Sequence, residues 1–185
     1  CDYNAKGAVE IPTKIKDIKV TSIGNEVFFG CSELTSIEIP SSVTSIGNFA
    51  FSGCSGLTGI EIPSSVTSIR DQAFSSCSGL TGIEIPSSVT KIGEAAFSGC
   101  SGLTSINVEA GNEVYDSRDN CNAIIKKATN TLIQGCKNTK IPSSVTSIGY
   151  YAFYDCSGLT GIEIPSSVTS IGDLAFWFCS GLKDV

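Results

Sequence analysis

The chain contains no histidine and no methionine. Without histidine there is no Ser-His or Cys-His nucleophile pair and no imidazole metal ligand. Without methionine the chain does not open on a natural start codon, so a processed or trimmed fragment is expected. No apolar run approaches the roughly 18 residues of a membrane-spanning helix. No secretory leader is present, although such a segment is removed on maturation. Positive charge is scarce: 12 Lys and Arg stand against 18 Asp and Glu, for a net charge of −6. That argues against nucleic acid as the partner, because phosphate binding wants a basic face. It leaves basic proteins, cations and neutral glycans as ligand classes. The length of 185 residues points to one domain, 1–185.

What is present is one sentence written repeatedly. Phe28, Phe51, Phe74, Phe97, Phe153 and Phe176 recur every 23 residues except for one gap of 56, which is one unit plus 33 inserted residues between Ile106 and Ile141. A cysteine follows each aromatic by three positions: Cys31, Cys54, Cys77, Cys100, Cys156 and Cys179. In the specimen unit Leu57 to Gly79, Leu57, Ile60 and Ile62 alternate with small or polar residues and predict a short strand with one buried face. Pro63 ends it, having no N–H for a ladder. Val66 and Ile69 form a second apolar element. Asp71-Gln72-Ala73-Phe74 reads as a single helical turn with Ala73 and Phe74 inward, and Ser78-Gly79 turns into the next strand. One unit cannot enclose its apolar residues alone, so units must stack. The expected fold is a solenoid with a parallel β-sheet on the concave face, short helical turns on the convex face and one β-hairpin insert.

The unit "LTGIEIPSSVTSIRDQAFSSCSG" resembles the BspA-like class of leucine-rich repeat, through L-x-x-I-x-I-P, V-x-x-I-G and A-F-x-x-C. The insert "VYDSRDNCNAIIKKATNTLIQGCKN" resembles the longer hairpin-bearing units that interrupt such arrays. The resemblance implies an exported bacterial surface protein, extracellular or at the cell surface, used in adhesion to host proteins or other cells. The expected partner is a host or microbial surface protein or glycan. No enzyme activity, cofactor or metal is expected. The competing function is an architectural stalk that presents another domain.

The six recurrent cysteines do one structural job and are expected as free buried thiols in a core layer. Cys121 and Cys136 fall outside the pattern, in the insert at 107–140. If Lys126 faces Thr131 across a turn at Lys127–Asn130, Ile124 faces Ile133 and Cys121 faces Cys136, so a disulfide and two free thiols both stand as readings. Cys1 is read as the place where the fragment begins, the alternative being a lipid-bearing first residue.

Function in a repeat frame belongs to the outward slots. Between the two Ile of each strand stand Glu38, Glu61, Glu84, Asn107 and Glu163, a ridge for a basic segment or Ca²⁺, or a solvated edge copied by duplication. After each Phe stand Ser52, Ser75 and Ser98, but then Tyr154 and Trp177, beside Tyr150, Tyr151 and Phe178. These aromatics read as a recognition surface or as a face covered by the insert or by further repeats, and the insert directly before them favours the cover. "SVTK" at Ser88–Lys91 is the ordinary repeat slot rather than a nucleophile motif, and "YDSRDNCN" lacks the spacing of a calcium loop. Residues 1–20, with Ile11-Pro12 five residues out of step, are expected as an atypical N-terminal cap. Leu182 and Val185 would open another strand, so more sequence, or self-association through an open last coil, is expected at the C-terminus.

Overall fold

The computed structural model describes residues 5–183; the expectations on Cys1 and Val185 fall outside them. The chain winds as a β-solenoid of about 7 coils. Its most regular ladder is not the long strand of each unit but the second apolar element. Ser22–Ile23, Ser45–Ile46, Ser68–Ile69 and Lys91–Ile92 pair in parallel and in register. The repeated Ser and Thr brace it, for Ser65 Oγ donates to Val43 O at 2.6 Å and Thr67 Oγ1 to Thr44 O at 3.2 Å. Ser88, in the discounted S-x-x-K, does the same job on Val66 O at 2.6 Å. The expected continuous sheet of L-x-x-I-x-I strands is broken into pairs, Gly7–Glu10 with Leu34–Glu38 and Gly82–Ile85 with Ser105–Val108. Between them, Thr58 and Thr81 reach their upstream neighbours only at 3.4 and 3.3 Å.

Residues 7–12 are in step after all. Val9 pairs with Ile37 and Glu10 with Glu38, which places Val9-Glu10-Ile11-Pro12 in the ordinary I-x-I-P slots. The five extra residues loop outward as a small hairpin, Lys14–Ile15 against Ile18–Lys19.

The turn after each ladder strand is not helical. Every unit carries two left-handed residues there. The second residue before Phe has φ of 54° at Phe49, 53° at Gln72, 52° at Ala95, 56° at Tyr151 and 57° at Leu174. The second residue after it has φ of 77° at Gly53, 59° at Ser76 and 59° at Phe178. A left-handed residue on each side of Phe stops a helical hydrogen-bond pattern before it begins. The turn's N–H groups bond to the next coil instead: Phe28, Phe51 and Phe74 donate at 2.8 Å to the carbonyls of Ala50, Ala73 and Ala96. Ala73 and Phe74 do face inward and are fully buried.

The insert is built into the stack. Tyr115–Asp116, Ala123–Lys126 and Thr131–Gly135 form an antiparallel meander, and Thr131-Leu132 then pairs in parallel with Ser147-Ile148. Its middle strand partitions the core. Ile124 packs into the cluster of the first coils, while Ala123 and Ile125 pack into the cluster of the last two. A strand buried on both faces is apolar without alternation, as Ala-Ile-Ile is. The expected register holds at Lys126–Thr131 but slips at a bulge, so Ile124 faces Gln134 rather than Ile133. Cys121 then lies in one core and Cys136 in the other. Both are free in this structure. The meander is tied to the fourth coil by buried Asn112, which donates to Pro86 O and Val89 O and accepts from Val114 N and Tyr115 N, at 2.8–2.9 Å.

Candidate functional site

The interior is uniform. Phe28, Phe51, Phe74 and Phe97 stack with centroids 5.1–5.3 Å apart and nearly parallel rings. Phe153 and Phe176 resume the stack at 5.0 Å beyond the insert. Four of the six cysteine thiols behind this column donate to the carbonyl of the preceding coil's Phe: Cys54 to Phe28, Cys77 to Phe51 and Cys100 to Phe74 at 3.1 Å, and Cys179 to Phe153 at 3.0 Å. Burial, with the neighbouring thiols adding to it, pushes Cys54 and Cys156 up to about 12. Hydrogen bonding with Cys100, then burial, raises Cys77. Such thiols are protonated and inert at neutral pH.

The exterior is not uniform. On the last two coils Tyr150, Trp177 and Phe178 are 40, 52 and 62% exposed, and the insert does not cover them. The insert occupies a place within the stack and does not fold over these rings. They form one chain of contacts: Tyr150 to Tyr151 at 4.0 Å, Tyr151 to Tyr154 at 4.8 Å, Tyr154 to Phe178 at 6.0 Å and Phe178 to Trp177 at 5.5 Å. Most of these contacts are edge-on or tilted, the preferred arrangement for aromatic quadrupoles. Hydrogen bonding with Tyr151 pushes the Tyr150 phenol up to about 12, so it remains a neutral donor. Tyr151 and Phe178 also occupy the left-handed slots, which bulky side chains disfavour. Phe49 of the second coil shares the slot of Tyr151, with φ of 54° against 56°.

The acidic row differs from its sequence reading at both ends. Glu10 joins it, directly opposite Glu38; the offset numbering of the first unit hid this residue, although its E-I-P was legible. Glu38, Glu61 and Glu84 follow, all exposed. Glu10, Glu38 and Glu61 border a shallow groove of 960 Å³. Asn107 closes the row by donating to Glu84 Oε1 at 2.7 Å. Glu163 lies apart from it, across a coil whose corresponding slot is Lys140, in a recess shared with Lys137 and Lys140. Among the described residues no group of three or more His, Cys, Asp or Glu is placed to hold a metal ion. In "YDSRDNCN" Arg118 clasps Asp116 with two bonds of 2.8 Å and reaches Asn130 at 3.0 Å. Among the described residues no helix is long and apolar enough to cross a membrane.

The model of the BspA type leucine rich repeat region matches residues 8–125 and 123–185, in 6 copies. No curated protein matches the chain. Among solved structures, a leucine rich cell surface protein of Faecalibacterium prausnitzii is similar at 26% identity, over 98% of this chain and 69% of that one, with a TM-score of 0.57. A leucine rich repeat protein of T. pallidum is 27% identical over 95% of this chain and 78% of its own, also at 0.57. The pneumococcal vaccine antigen PcpA shares the fold at 23% identity and a TM-score of 0.76, and the chain spans 60% of its length. No enzymatic family is indicated by these matches.

Proposed function

Because the chain belongs to the BspA type leucine rich repeat family, we propose that it is a protein-binding module of an exported bacterial surface protein, acting in adhesion. The observation that carries this reading is the exposed aromatic chain on the last two coils. Aromatic side chains supply large contact area at low entropic cost and are enriched at interfaces. The plain Ser52, Ser75 and Ser98 slots favour a second role for the middle coils, as a spacer that holds this surface away from the acidic end. The acidic row, Glu10 to Glu84, suits a basic segment of the same partner by charge complementarity, which would speed encounter more than it would add affinity. Ile171, 50% exposed on the last coil, makes self-association through that coil an additional contact within this proposal.

The test returns the surface to the plain slots of the middle coils. Wild-type protein and a Tyr154→Ser, Trp177→Ser double variant are applied to the same array of host matrix proteins, microbial surface proteins and glycans. Loss of the wild-type protein hits, with the melting temperature retained, supports the reading. Hits that survive the double variant, or hits confined to glycans, overturn it.

A further inference from the structure

Where the insert replaces a full turn, the coil-to-coil ladder is left open. In each regular coil the N–H two residues before Phe donates to the next coil, as Phe49 does to Asp71 O at 3.0 Å, Gln72 to Glu94 O at 2.9 Å and Tyr151 to Asp173 O at 3.3 Å. The Phe N–H donates likewise, as Phe74 does to Ala96 O and Phe153 to Ala175 O at 2.8 Å. Among the described residues, Ala95 N–H and Phe97 N–H have no such acceptor, and Tyr150 C=O, the acceptor of that register in the following coil, has no donor. Farther along the same turn the two coils close directly, Gly99 donating to Tyr154 O at 3.1 Å. The result is a wedge, shut at Gly99 and open at Ala95 and Tyr150. A cleft of 210 Å³ fills it, lined among others by Gly93, Ala95, Phe97, Gln134, Gly149 and Tyr150.

The cleft contains other unspent polar groups. Gln134 is 7% exposed; its Nε2 donates to Gly135 O and Ala152 O at 2.9 and 3.2 Å, while its Oε1 accepts from no group among the described residues. Tyr115, whose hydroxyl accepts from Ile92 N at 2.9 Å, retains its own proton to donate. Phe97 is fully buried, and a buried N–H without a partner is rare in native structures.

The geometry points to a main-chain docking slot: a short stretch of a partner protein's backbone, carrying small side chains, adds itself between the fourth coil and the coil after the insert. Its carbonyls accept from Ala95 N–H and Phe97 N–H, and one of its N–H groups donates to Tyr150 C=O. This is strand addition transposed to a solenoid turn. A volume of 210 Å³ admits a short backbone stretch with small side chains only, and Tyr150 at the open end joins the slot to the exposed aromatic surface. The inference rests on the reading that the partner is a protein, but it involves different atoms and fails separately.

Amide hydrogen exchange on the whole chain tests it. In the free protein, Ala95 and Phe97 are expected to exchange at least about tenfold faster than Gln72 and Phe74, their equivalents one coil earlier. Millimolar acetyl-Ala-Gly-Ala-Gly-amide is expected to slow exchange at Ala95 and Phe97, and its N-methylated counterpart is not. The Trp177→Ser variant should behave as wild type, which separates the slot from the aromatic surface. Equal protection in the free protein, or no change at these amides with the peptide, overturns the proposal. Slowing by galactose or N-acetylglucosamine instead of the peptide overturns it in favour of a sugar.

Discussion

The second to fourth coils and the last two are alike inside and unlike outside. The Phe stacks, the thiol-to-carbonyl bonds and the Phe-to-Ala ladder bonds agree between the two regions to within a few tenths of an ångström. Outside, Ser52, Ser75 and Ser98 give way to Tyr154 and Trp177, and Gly53, Ser76 and Gly99 give way to Asp155 and Phe178. Stacking constrains the inner slots, because each must fit both neighbours, and leaves the outer ones free to diverge. A difference confined to the free slots is therefore where a function of this chain should be sought.

The sharpest test of interior likeness is also the largest in effect. Phe74→Ala should cost about 3–5 kcal/mol, since the cavity is closed on both sides by Phe51 and Phe97. Phe176→Ala, in a coil with one stacking partner among the described residues, should cost distinctly less. Chemical denaturation measures both, and equal losses would mean that the column does not act as a continuous stack.

The join between the regions is the next target. Asn112→Ala removes four buried or part-buried hydrogen bonds, those to Pro86 O and Val89 O and those from Val114 N and Tyr115 N, and should cost about 1–3 kcal/mol. It should also separate unfolding into two transitions, one for each core, when followed by intrinsic fluorescence and by circular dichroism. A single coincident transition would show that the partition strand alone couples the cores. Gly135→Ala should have a similar cost, because a Cβ there would sit 2.1 Å from the Phe153 ring and the neighbouring backbone would have to move.

The thiols test likeness through pH. Cys54 and Cys156 lie in different regions, yet burial pushes both from 9.0 to about 12. A raised folded-state value means that each thiol's contribution to stability is complete below about pH 9 and is lost as pH rises towards 12. The slope is about 1.4 kcal/mol per pH unit for each thiol. Melting temperatures between pH 8.5 and 11.5 should fall, and Cys54→Ala and Cys156→Ala should flatten that fall equally. Unequal flattening would break the equivalence of the two interiors.

The smallest effect concerns the outer slots. Phe178→Gly should stabilise by up to about 1 kcal/mol by removing a bulky residue from a left-handed position, while weakening partner binding in the array assay. Ser76→Gly, in a plain coil, should stabilise by a few tenths of a kcal/mol and leave binding unchanged. Were Phe178→Gly destabilising, the ring would belong to the packing of its coil and not to a surface.

Much of this was readable in the letters. The Phe and Cys registers identify the coil and its inward residues, because a repeat must bury the same slots each time. The aromatic departures at Tyr150, Tyr151, Tyr154, Trp177 and Phe178 stand out against that frame. Glu10 was legible in V-E-I-P but was concealed by five looped residues. The helical turn was misread because Asp-Gln-Ala-Phe is compatible with a helix locally, and nothing in it announces that Gln72 takes a positive φ. Tertiary bonds do that, by drawing the Phe74 N–H to the next coil rather than to its own.

The periodicity of apolar residues, a local and one-dimensional property, established a solenoid, the length of its coil and the membership of its core. The insert required three dimensions. Whether Ala-Ile-Ile covers the aromatics or divides the core depends on which strands it pairs with, and the same alternation satisfies both. Its place between Tyr115–Asp116 and Thr131–Gly135 separates Cys121 from Cys136 and leaves the aromatics exposed. It also leaves Ala95 and Phe97 without acceptors, because hydrogen bonds between coils depend on which turn lies opposite, and here one turn is missing.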